Sequence, residues 1–323
     1  MIVITGAAGF IGSNILSSLN ELGRDDIILC DSENKNSNLN NIKKREFSEF
    51  IEPNKLIYYL NKNKNIQTII HMGANSSTIE KNYKLMYRQN TRFSKDLWQW
   101  SKDNNVRFIY ASSAAIYGDG SSGFSDSKSI KNYKPLNVYA WTKYFFDRYV
   151  TNQANLNHTP PQWVGLRFFN VYGPNEYHKG TMQSVLKHAF NQHNSDGEVK
   201  LFKSYNKDYR HGQQMRDFIY IKDCVSIILW LLESPEVSGI FNCGTGKARS
   251  FKDLIMAMYS ALNREPIIKY IEMPENLVNQ YQYFTQADMI KIKKSGYKNN
   301  FYSLEEGVSD YVNNYLLTDN PYR

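Results

Sequence analysis

The segment MIVITGAAGFIG at residues 1–12 constrains the fold more than any other part of the chain. A β-branched run ends directly in Gly6, Gly9 and Gly12, and the residues that follow, to about 22, repeat apolar positions at helical spacing. Glycines spaced G-x-x-G-x-x-G between a strand and a helix serve a chain that must turn tightly, bring its backbone close to a bound group and pack helix against sheet. The first amides of such a helix point at that group and the helix dipole favours negative charge, so a pyrophosphate is expected there. Asp31 closes the next β-branched run nineteen residues after Gly12, where a carboxylate can accept from ribose hydroxyls. Strand, loop, helix, strand and acid, in that order, predict the opening of a dinucleotide-binding βαβ unit.

The alternation continues. MIVIT (1–5), DIILCD (26–31), TIIH (68–71), VRFIYAS (106–112) and WVGLRF (163–168) read as strands, and helical patterns lie near 10–22, 52–63, 80–103 and 138–155. The strands lack polar alternation, as expected of a parallel sheet buried on both faces. This pattern predicts an α/β protein: a Rossmann-like, doubly wound parallel sheet with a smaller mixed α/β C-terminal substrate domain. Residues 1–170 form the first unit in this reading and 171–323 the second. DFIYI (217–221), the following helix and GIFNCG (239–244) resume the βαβ style, so 217–241 is expected to rejoin the first sheet, leaving mainly 171–216 and 242–323 to the second. A helix is expected near 181–193, a surface loop at 204–215, and low complexity is confined to Asn/Lys-rich patches at 34–45 and 61–65.

Composition excludes several function classes. With 41% hydrophobic and 14% aromatic residues the 323-residue chain can bury a sizeable core. Its net charge is +8, but the basic residues are scattered and no basic helix interleaved with aromatics occurs, so a nucleic-acid partner is not expected. The Lys/Asn-rich stretches read as solvated surface. Cys30, Cys224 and Cys243 are dispersed and form neither a disulfide framework nor a metal site, which fits a reducing cytoplasm. The longest apolar run, VSIILWLL at 225–232, is far short of the roughly 20 residues needed to span a bilayer, and the N-terminus has no signal-peptide pattern, so no membrane association is expected.

Chemistry enters at NVYAWTK, residues 137–143. Tyr139 and Lys143 stand four residues apart and share one face of a helix. A phenol titrates near 10 in water, and a neighbouring ammonium lowers that value toward use as a base. Ser113 lies at the end of a strand, where open α/β sheets line their ligand crevice, and can hydrogen-bond the substrate hydroxyl that Tyr139 deprotonates. Each residue alone has an ordinary structural role; the three together, after a dinucleotide loop, point to proton transfer coupled to hydride transfer.

The strings TGAAGFIGSN, HMGANSST, YASSAAIYG, PLNVYAWTK, RFFNVYGPN, RDFIYIKD and FNCGTG resemble the extended short-chain dehydrogenase/reductase family over essentially the whole chain. The resemblance implies that Ser113, Tyr139 and Lys143 are the catalytic residues, with Lys143 also holding the nicotinamide ribose. It implies cofactor contacts from Gly6, Gly9, Phe10, Ile11 and Gly12, from Asp31 and Ser32, from Met72, Gly73, Ala74, Asn75 and Ser76, and from Gln89 and Val171. Within the family, PLNVYAWTK, FNVYGPNEYHKGTM, VKLF and VNQYQYFTQAD are most similar to epimerases of ADP-heptose that serve lipopolysaccharide core synthesis. That implies a second acid/base at Lys179 and sugar-nucleotide contacts from Ser113, Asn170, Thr181, His188, Phe202, Lys203, Ser204, Arg216 and Tyr281. For His188 a half-buried structural role stays open, and for Arg216 an ion pair with Asp217. Family members form homo-oligomers, pentamers among the heptose epimerases.

A UDP-hexose 4-epimerase is the second reading. Sugar-nucleotide dehydratases carry an Asp-Glu pair where this chain has Ala114 and Ala115, and a non-catalytic dinucleotide sensor would not need Tyr139 and Lys143. NADP is the expected cofactor, with NAD the alternative. The heptose epimerases place lysines where this chain has Asn38 and Pro53, Lys35, Lys43 and Lys44 lie only nearby, and Asp31 would repel a 2′-phosphate. The 204–215 loop also exceeds the usual length.

Overall fold

The computed structural model describes residues 1–32, 36–78, 80–278 and 281–323. The strands are β1 (Ile2–Thr5), β2 (Ile27–Cys30), β3 (Glu49–Ile51), β4 (Thr68–His71), β5 (Arg107–Ser113), β6 (Trp163–Phe168), β7 (Asn170–Tyr172), β8 (Val199–Phe202), β9 (Met215–Arg216), β10 (Phe218–Tyr220), β11 (Gly239–Cys243), β12 (Arg249–Ser250) and β13 (Ile268–Ile271). Helices of seven residues or more are α1 (Phe10–Glu21), α2 (Leu56–Lys62), α3 (Phe93–Asp103), α4 (Val138–Asn155), α5 (Val185–Asp196), α6 (Ile221–Glu233), α7 (Phe251–Ala261) and α8 (Leu304–Tyr311).

Seven strands form one sheet in the order β11-β6-β5-β4-β1-β2-β3, every pair parallel. The order reverses at β1, which puts the ligand crevice at the carboxyl ends of β1 and β4. β1, β2 and β4 are buried at every position, as their unbroken apolar runs require. Successive residues feed opposite faces. Ile2, Ile4, Ile27, Leu29, Ile70 and Ile109 pack into a core shared with α1 and α6. Val3, Ile28, Ile69, Phe108 and Tyr110 pack on the other face against Leu60, Trp98 and Phe146. Helices on both faces of a parallel sheet give the doubly wound α/β architecture that the sequence predicts.

Several expectations are corrected. β3 is a short, partly exposed edge strand with no apolar run to announce it, and it falls just before the predicted 52–63 helix, which forms only over α2. The helix expected over 80–103 is broken: a short turn at Tyr83–Met86 leads into a π-helical stretch, Tyr87–Arg92, before α3. The wide turn carries the buried Asn90, whose side chain is committed elsewhere, as described below. The helix expected near 181–193 starts at Val185, because Ser184 caps it with its hydroxyl and Tyr177–Met182 forms a separate 3-10 turn. DFIYI does not rejoin the main sheet; β10 pairs in parallel with β7 in a two-stranded sheet of its own, while β11 supplies the seventh strand beside β6. β8 pairs with β13 and β9 with β12 in two further small sheets. Among the described residues no helix is long and apolar enough to cross a membrane.

Candidate active site

The phosphate loop is as tight as its glycines require. Gly6 has φ of +64°, and a Cβ there would lie 2.7 Å from the backbone of Gly73, two residues past the end of β4. A Cβ on Gly12 would lie 2.2 Å from the Gly6 carbonyl oxygen. α1 begins at Phe10 after Gly9, with no side-chain cap and no acidic residue in its first turn. Its leading amides therefore face the crevice with no side chain to satisfy them, which is the arrangement an anion completes. These residues fit a dinucleotide pyrophosphate. Asp31 follows β2; one carboxylate oxygen accepts from the Ala8 amide at 2.9 Å and the other from the Ser32 amide at 2.8 Å, so the acid also braces the loop.

Beyond β4, the Met72 amide bonds the Thr5 carbonyl at 3.0 Å and the Gly73 amide bonds the Thr5 hydroxyl at 3.2 Å. The half-buried Met72, Gly73, Ala74 and Asn75 and the exposed Ser76 extend from there along the crevice. Asn75 is held from two sides. Its amide donates to Asn90 Oδ1 at 2.7 Å, and its side chain donates to Gln89 Oε1 at 3.2 Å. Asn90 Nδ2 in turn reaches the Asn75 carbonyl at 2.9 Å and Thr142 Oγ1 at 3.1 Å. Thr142 Oγ1 donates to the Tyr139 carbonyl at 2.7 Å. The π-helical turn thus couples the cofactor loop to α4, a link that apolar periodicity could not reveal.

α4 opens at Asn137, whose side chain caps it by accepting from the Ala140 amide at 2.9 Å. Tyr139, Lys143 and Asp147 then follow at successive four-residue steps on one face. Ser113, the last residue of β5, hydrogen-bonds the Tyr139 hydroxyl. Burial pushes the Tyr139 phenol up, and that bond to Ser113 draws it back down. Lys143 is 4% exposed and donates from Nζ to the Ala111 carbonyl at 2.7 Å. Burial pulls its ammonium down to about 8, against an upward pull from Asp147. Asp147 is fully buried and pairs with Arg167 at 3.0 Å, with further bonds from Tyr110 and Ser112.

Across the crevice, Asn170 is exposed and Val171 half-buried on β7. Lys179 lies in the Tyr177–Met182 turn with its Nζ 5.3 Å over the Phe10 ring, at the mouth of the phosphate loop. Burial lowers its ammonium and the Glu176 charge raises it. Thr181 and His188 meet, His188 Nε2 lying 3.3 Å from the Thr181 carbonyl.

Arg216 ends β9, is 9% exposed, and lies 5.4 Å over both the Phe251 and the Tyr281 rings. Among the described residues it has no carboxylate partner within ion-pair distance, and the ion pair with Asp217 does not form. Asp217 accepts instead from Thr245, Gly246 and Ala287 amides. Lys203 by contrast is engaged by Glu272. Ser204 takes its amide to His211 Nδ1 at 2.9 Å, and Phe202, at the end of β8, is half-buried beside them.

Two buried asparagines lay outside the sequence reading. Lys35 lies outside the described residues; in the described part of the Asn/Lys-rich patch Asn40, Lys43 and Lys44 are exposed, whereas Asn38 and Asn41 are buried. Asn41 Nδ2 bonds the Ala8 carbonyl at 2.8 Å and the Asn175 carbonyl at 3.1 Å, tying the phosphate loop to the segment before Lys179. Composition hid this, since the same residues dominate exposed coil.

The sequence profile of the NAD dependent epimerase/dehydratase family matches residues 2–244. The chain belongs to that family. It is 45% identical to an ADP-L-glycero-D-manno-heptose-6-epimerase from Fusobacterium nucleatum subsp. nucleatum, with the whole of both chains aligned. Among solved structures it is similar to the Helicobacter pylori ADP-L-glycero-D-manno-heptose-6-epimerase, with TM-score 0.76, 28% identity, and 96% of this chain and 94% of that one covered. It also resembles a UDP-N-acetylglucosamine 4-epimerase from Methanobrevibacter ruminantium, with TM-score 0.79, 25% identity and 96% of each chain covered. By that family's description its members depend on a nicotinamide dinucleotide.

Proposed function

We propose that this chain is an isomerase that interconverts the C6″ epimers of ADP-glycero-D-manno-heptose, the product serving lipopolysaccharide core synthesis. What supports the reading is two groups of titratable side chains on separate elements, to which we assign the proton transfers. Ser113, Tyr139 and Lys143 form one on β5 and α4, and the Lys179 ammonium above Phe10 forms the other. Oxidation alone needs one such site; inversion, in which the carbinol oxygen returns in a new position, is served by two. Full-length identity of 45% to a heptose epimerase favours this substrate over a UDP-hexose.

Bound in the crevice, the nicotinamide would accept a hydride from the carbinol carbon and return it to the other face of the ketone. Tyr139 takes the hydroxyl proton while Ser113 orients that oxygen, and the Lys143 ammonium favours the phenolate. After the sugar turns, Lys179 gives a proton to the ketone oxygen. Arg216, a buried guanidinium without a carboxylate, takes the diphosphate. Asn170, Thr181, His188, Phe202, Lys203, Ser204 and Tyr281 surround the rest of the substrate. Residues 1–170 with 217–241 hold the dinucleotide, and 171–216 with 242–323 the sugar nucleotide, in a homo-oligomeric enzyme, a pentamer by its resemblance.

NADP is the finer cofactor assignment. Lys43 and Lys44 stand exposed on the segment after β2, and both Asp31 oxygens are engaged by backbone amides. Mass spectrometry of the co-purifying nucleotide tests this, and NAD alone would overturn it.

The function itself is tested by following ADP-D-glycero-D-manno-heptose by NMR with the parent protein and Lys179→Met. Turnover by the parent and a collapse of kcat at little-changed KM in the variant support the reading. Absence of turnover by the parent refutes the substrate, and a wild-type kcat in the variant removes Lys179 as the second acid/base.

A further inference from the structure

We infer that Glu176 is a positioning residue for Lys179: its carboxylate closes the Gly173–Ser184 segment into one rigid unit and supplies the counter-charge that keeps the Lys179 ammonium a proton donor. The inference rests on the role of Lys179 proposed above.

Glu176 is fully buried, and among the described residues no Lys or Arg forms an ion pair with it. A carboxylate left in that state is costly unless hydrogen bonds compensate it. Here they come from the two ends of one segment. Oε1 accepts from the Gly173 amide at 3.3 Å and from the Ser184 hydroxyl at 2.7 Å, and Oε2 accepts from the Ser184 amide. Ser184 is also the cap of α5, its Oγ accepting from the Lys187 amide at 3.2 Å, so the same carboxylate fixes the helix that carries His188.

The backbone between those ends has little freedom. Asn175, a non-glycine residue that is fully buried, holds φ of +72°, a left-handed conformation uncommon outside glycine. Such conformations persist only where surroundings dictate them. The surroundings are the phosphate loop and α1: Asn14 Nδ2 bonds the Pro174 carbonyl at 2.9 Å, and Asn175 Nδ2 bonds Ser13 Oγ at 3.0 Å. The Lys179 amide then donates to the Glu176 carbonyl at 3.1 Å, which leaves the side chain over Phe10. The path from α1 to the Lys179 ammonium therefore runs through Asn175 and Glu176, inside the segment that the Glu176 carboxylate closes.

Charge supports the geometry. Burial raises the Glu176 carboxyl, opposed by the Ser184 and Gly173 hydrogen bonds and the Lys179 charge; burial likewise lowers both Lys179 and Lys187, and in each the Glu176 charge opposes that fall. Tyr177 and Tyr311, the other titratable groups beside the carboxylate, are pushed up by burial and by Glu176 itself, so they stay neutral and do not compete for its charge. With the carboxylate neutralised, the Lys179 proton is lost at a lower pH, and the form able to protonate the ketone disappears sooner.

Glu176→Gln keeps the shape and the acceptor oxygen while removing the charge. Single-turnover oxidation, read by the absorbance of the reduced nicotinamide, should stay within about twofold of the parent, because it uses Tyr139 and Lys143. Steady-state kcat should fall about 10- to 100-fold, the scale of a misplaced or misprotonated catalytic group, and the basic limb of the kcat–pH profile should move to lower pH. Equal losses in both steps with an unmoved basic limb would make Glu176 merely structural and overturn the inference. Should this variant not accumulate folded, Ser184→Ala keeps the charge and removes the hydroxyl clamp; it should lower kcat without moving the basic limb, and an unchanged kcat overturns the inference. Failure of the Lys179 role itself is distinguishable, since Lys179→Met would then turn over at the parent rate.

Discussion

Lys143 Nζ lies 2.7 Å from the Ala111 carbonyl, and that single bond holds a nearly inaccessible ammonium one helical turn from the Tyr139 backbone. The strand that ends in Ser113 thereby supports the lysine as well as the serine, so β5 sets the spacing of the whole catalytic group.

Keeping that ammonium buried has a thermodynamic consequence. Its pKa falls from 10.5 to about 8, so between those values the unfolded chain binds more protons than the folded one, and stability rises with pH through that window. Below it, the charge opposes folding by about 3 kcal/mol. Lys143→Met should therefore melt at a higher temperature than the parent at neutral pH while losing turnover, and the gap should narrow from pH 8 to 10.5. A lower melting temperature in scanning calorimetry would mean that the Ala111 bond and the Asp147 charge outweigh desolvation.

Tyr139→Phe retains the ring's packing and removes the group assigned the first proton. Turnover should drop by at least two to three orders of magnitude, the usual scale for a positioned base, with dinucleotide binding kept. Because the Ser113 bond draws the Tyr139 phenol down, Ser113→Ala should let it rise, and the acidic limb of the kcat/KM profile should move to higher pH. Near-normal activity of Tyr139→Phe would reject the assignment.

How far the sequence carried this picture depends on what each signal encodes. Buried parallel strands are read from unbroken apolar runs, so TIIH and WVGLRF fall where the structure has β4 and β6. α4 fills the predicted 138–155 because helical periodicity runs through it, with Tyr139 and Lys143 sharing that repeat; the Asn137 cap is what the structure adds. β3 carries no such run, and its pairing with β2 is decided by the sheet edge rather than by its own residues. Asn41, Asn90 and Glu176 escaped for a related reason. Asn41 and Asn90 are polar residues buried by contacts made across long stretches of chain, such as Asn41 to Asn175, and Glu176 is held by Gly173 and Ser184 within an irregular segment; in none of them does a local pattern mark the residue off from a solvated neighbour. The Arg216 ambiguity was of the same kind: adjacency to Asp217 suggested a pair, and only the tertiary amides that claim Asp217 separate the two.

The phosphate loop offers a backbone test. Gly12→Ala brings a methyl to 2.2 Å from the Gly6 carbonyl, a contact that no side-chain rotation relieves. Either the loop opens or α1 shifts, and both misalign the leading amides. The variant should lose dinucleotide affinity by at least about tenfold, which is 1.4 kcal/mol, measurable by calorimetric titration. Gly23→Ala is the control. Gly23 ends α1 at φ of +74° with open space around it, so that change should cost stability through backbone strain but leave affinity intact. Equal affinity losses in the two would refute a specific role for Gly12.

Arg216 separates binding from folding most sharply. A buried guanidinium between two rings, without a carboxylate, is poorly compensated in the ligand-free protein, and burial lowers its pKa accordingly. Replacing it by an apolar side chain of similar length should relieve that cost, as removal of an unpaired buried charge does. Arg216→Met should therefore raise the melting temperature of the ligand-free enzyme. It should also raise KM for the sugar nucleotide by about 10- to 100-fold, the loss of a charge-assisted contact to a diphosphate of about 1.5–3 kcal/mol, while single-turnover oxidation at saturation changes little. Arg216→Lys keeps the charge but not the planar fork, so it should recover only part of the affinity. ADP and inorganic diphosphate should protect the parent against thermal unfolding and fail to protect Arg216→Met. Equal protection of both would place the diphosphate elsewhere in the crevice and leave Arg216 as a stacking residue of the β9–β12 sheet.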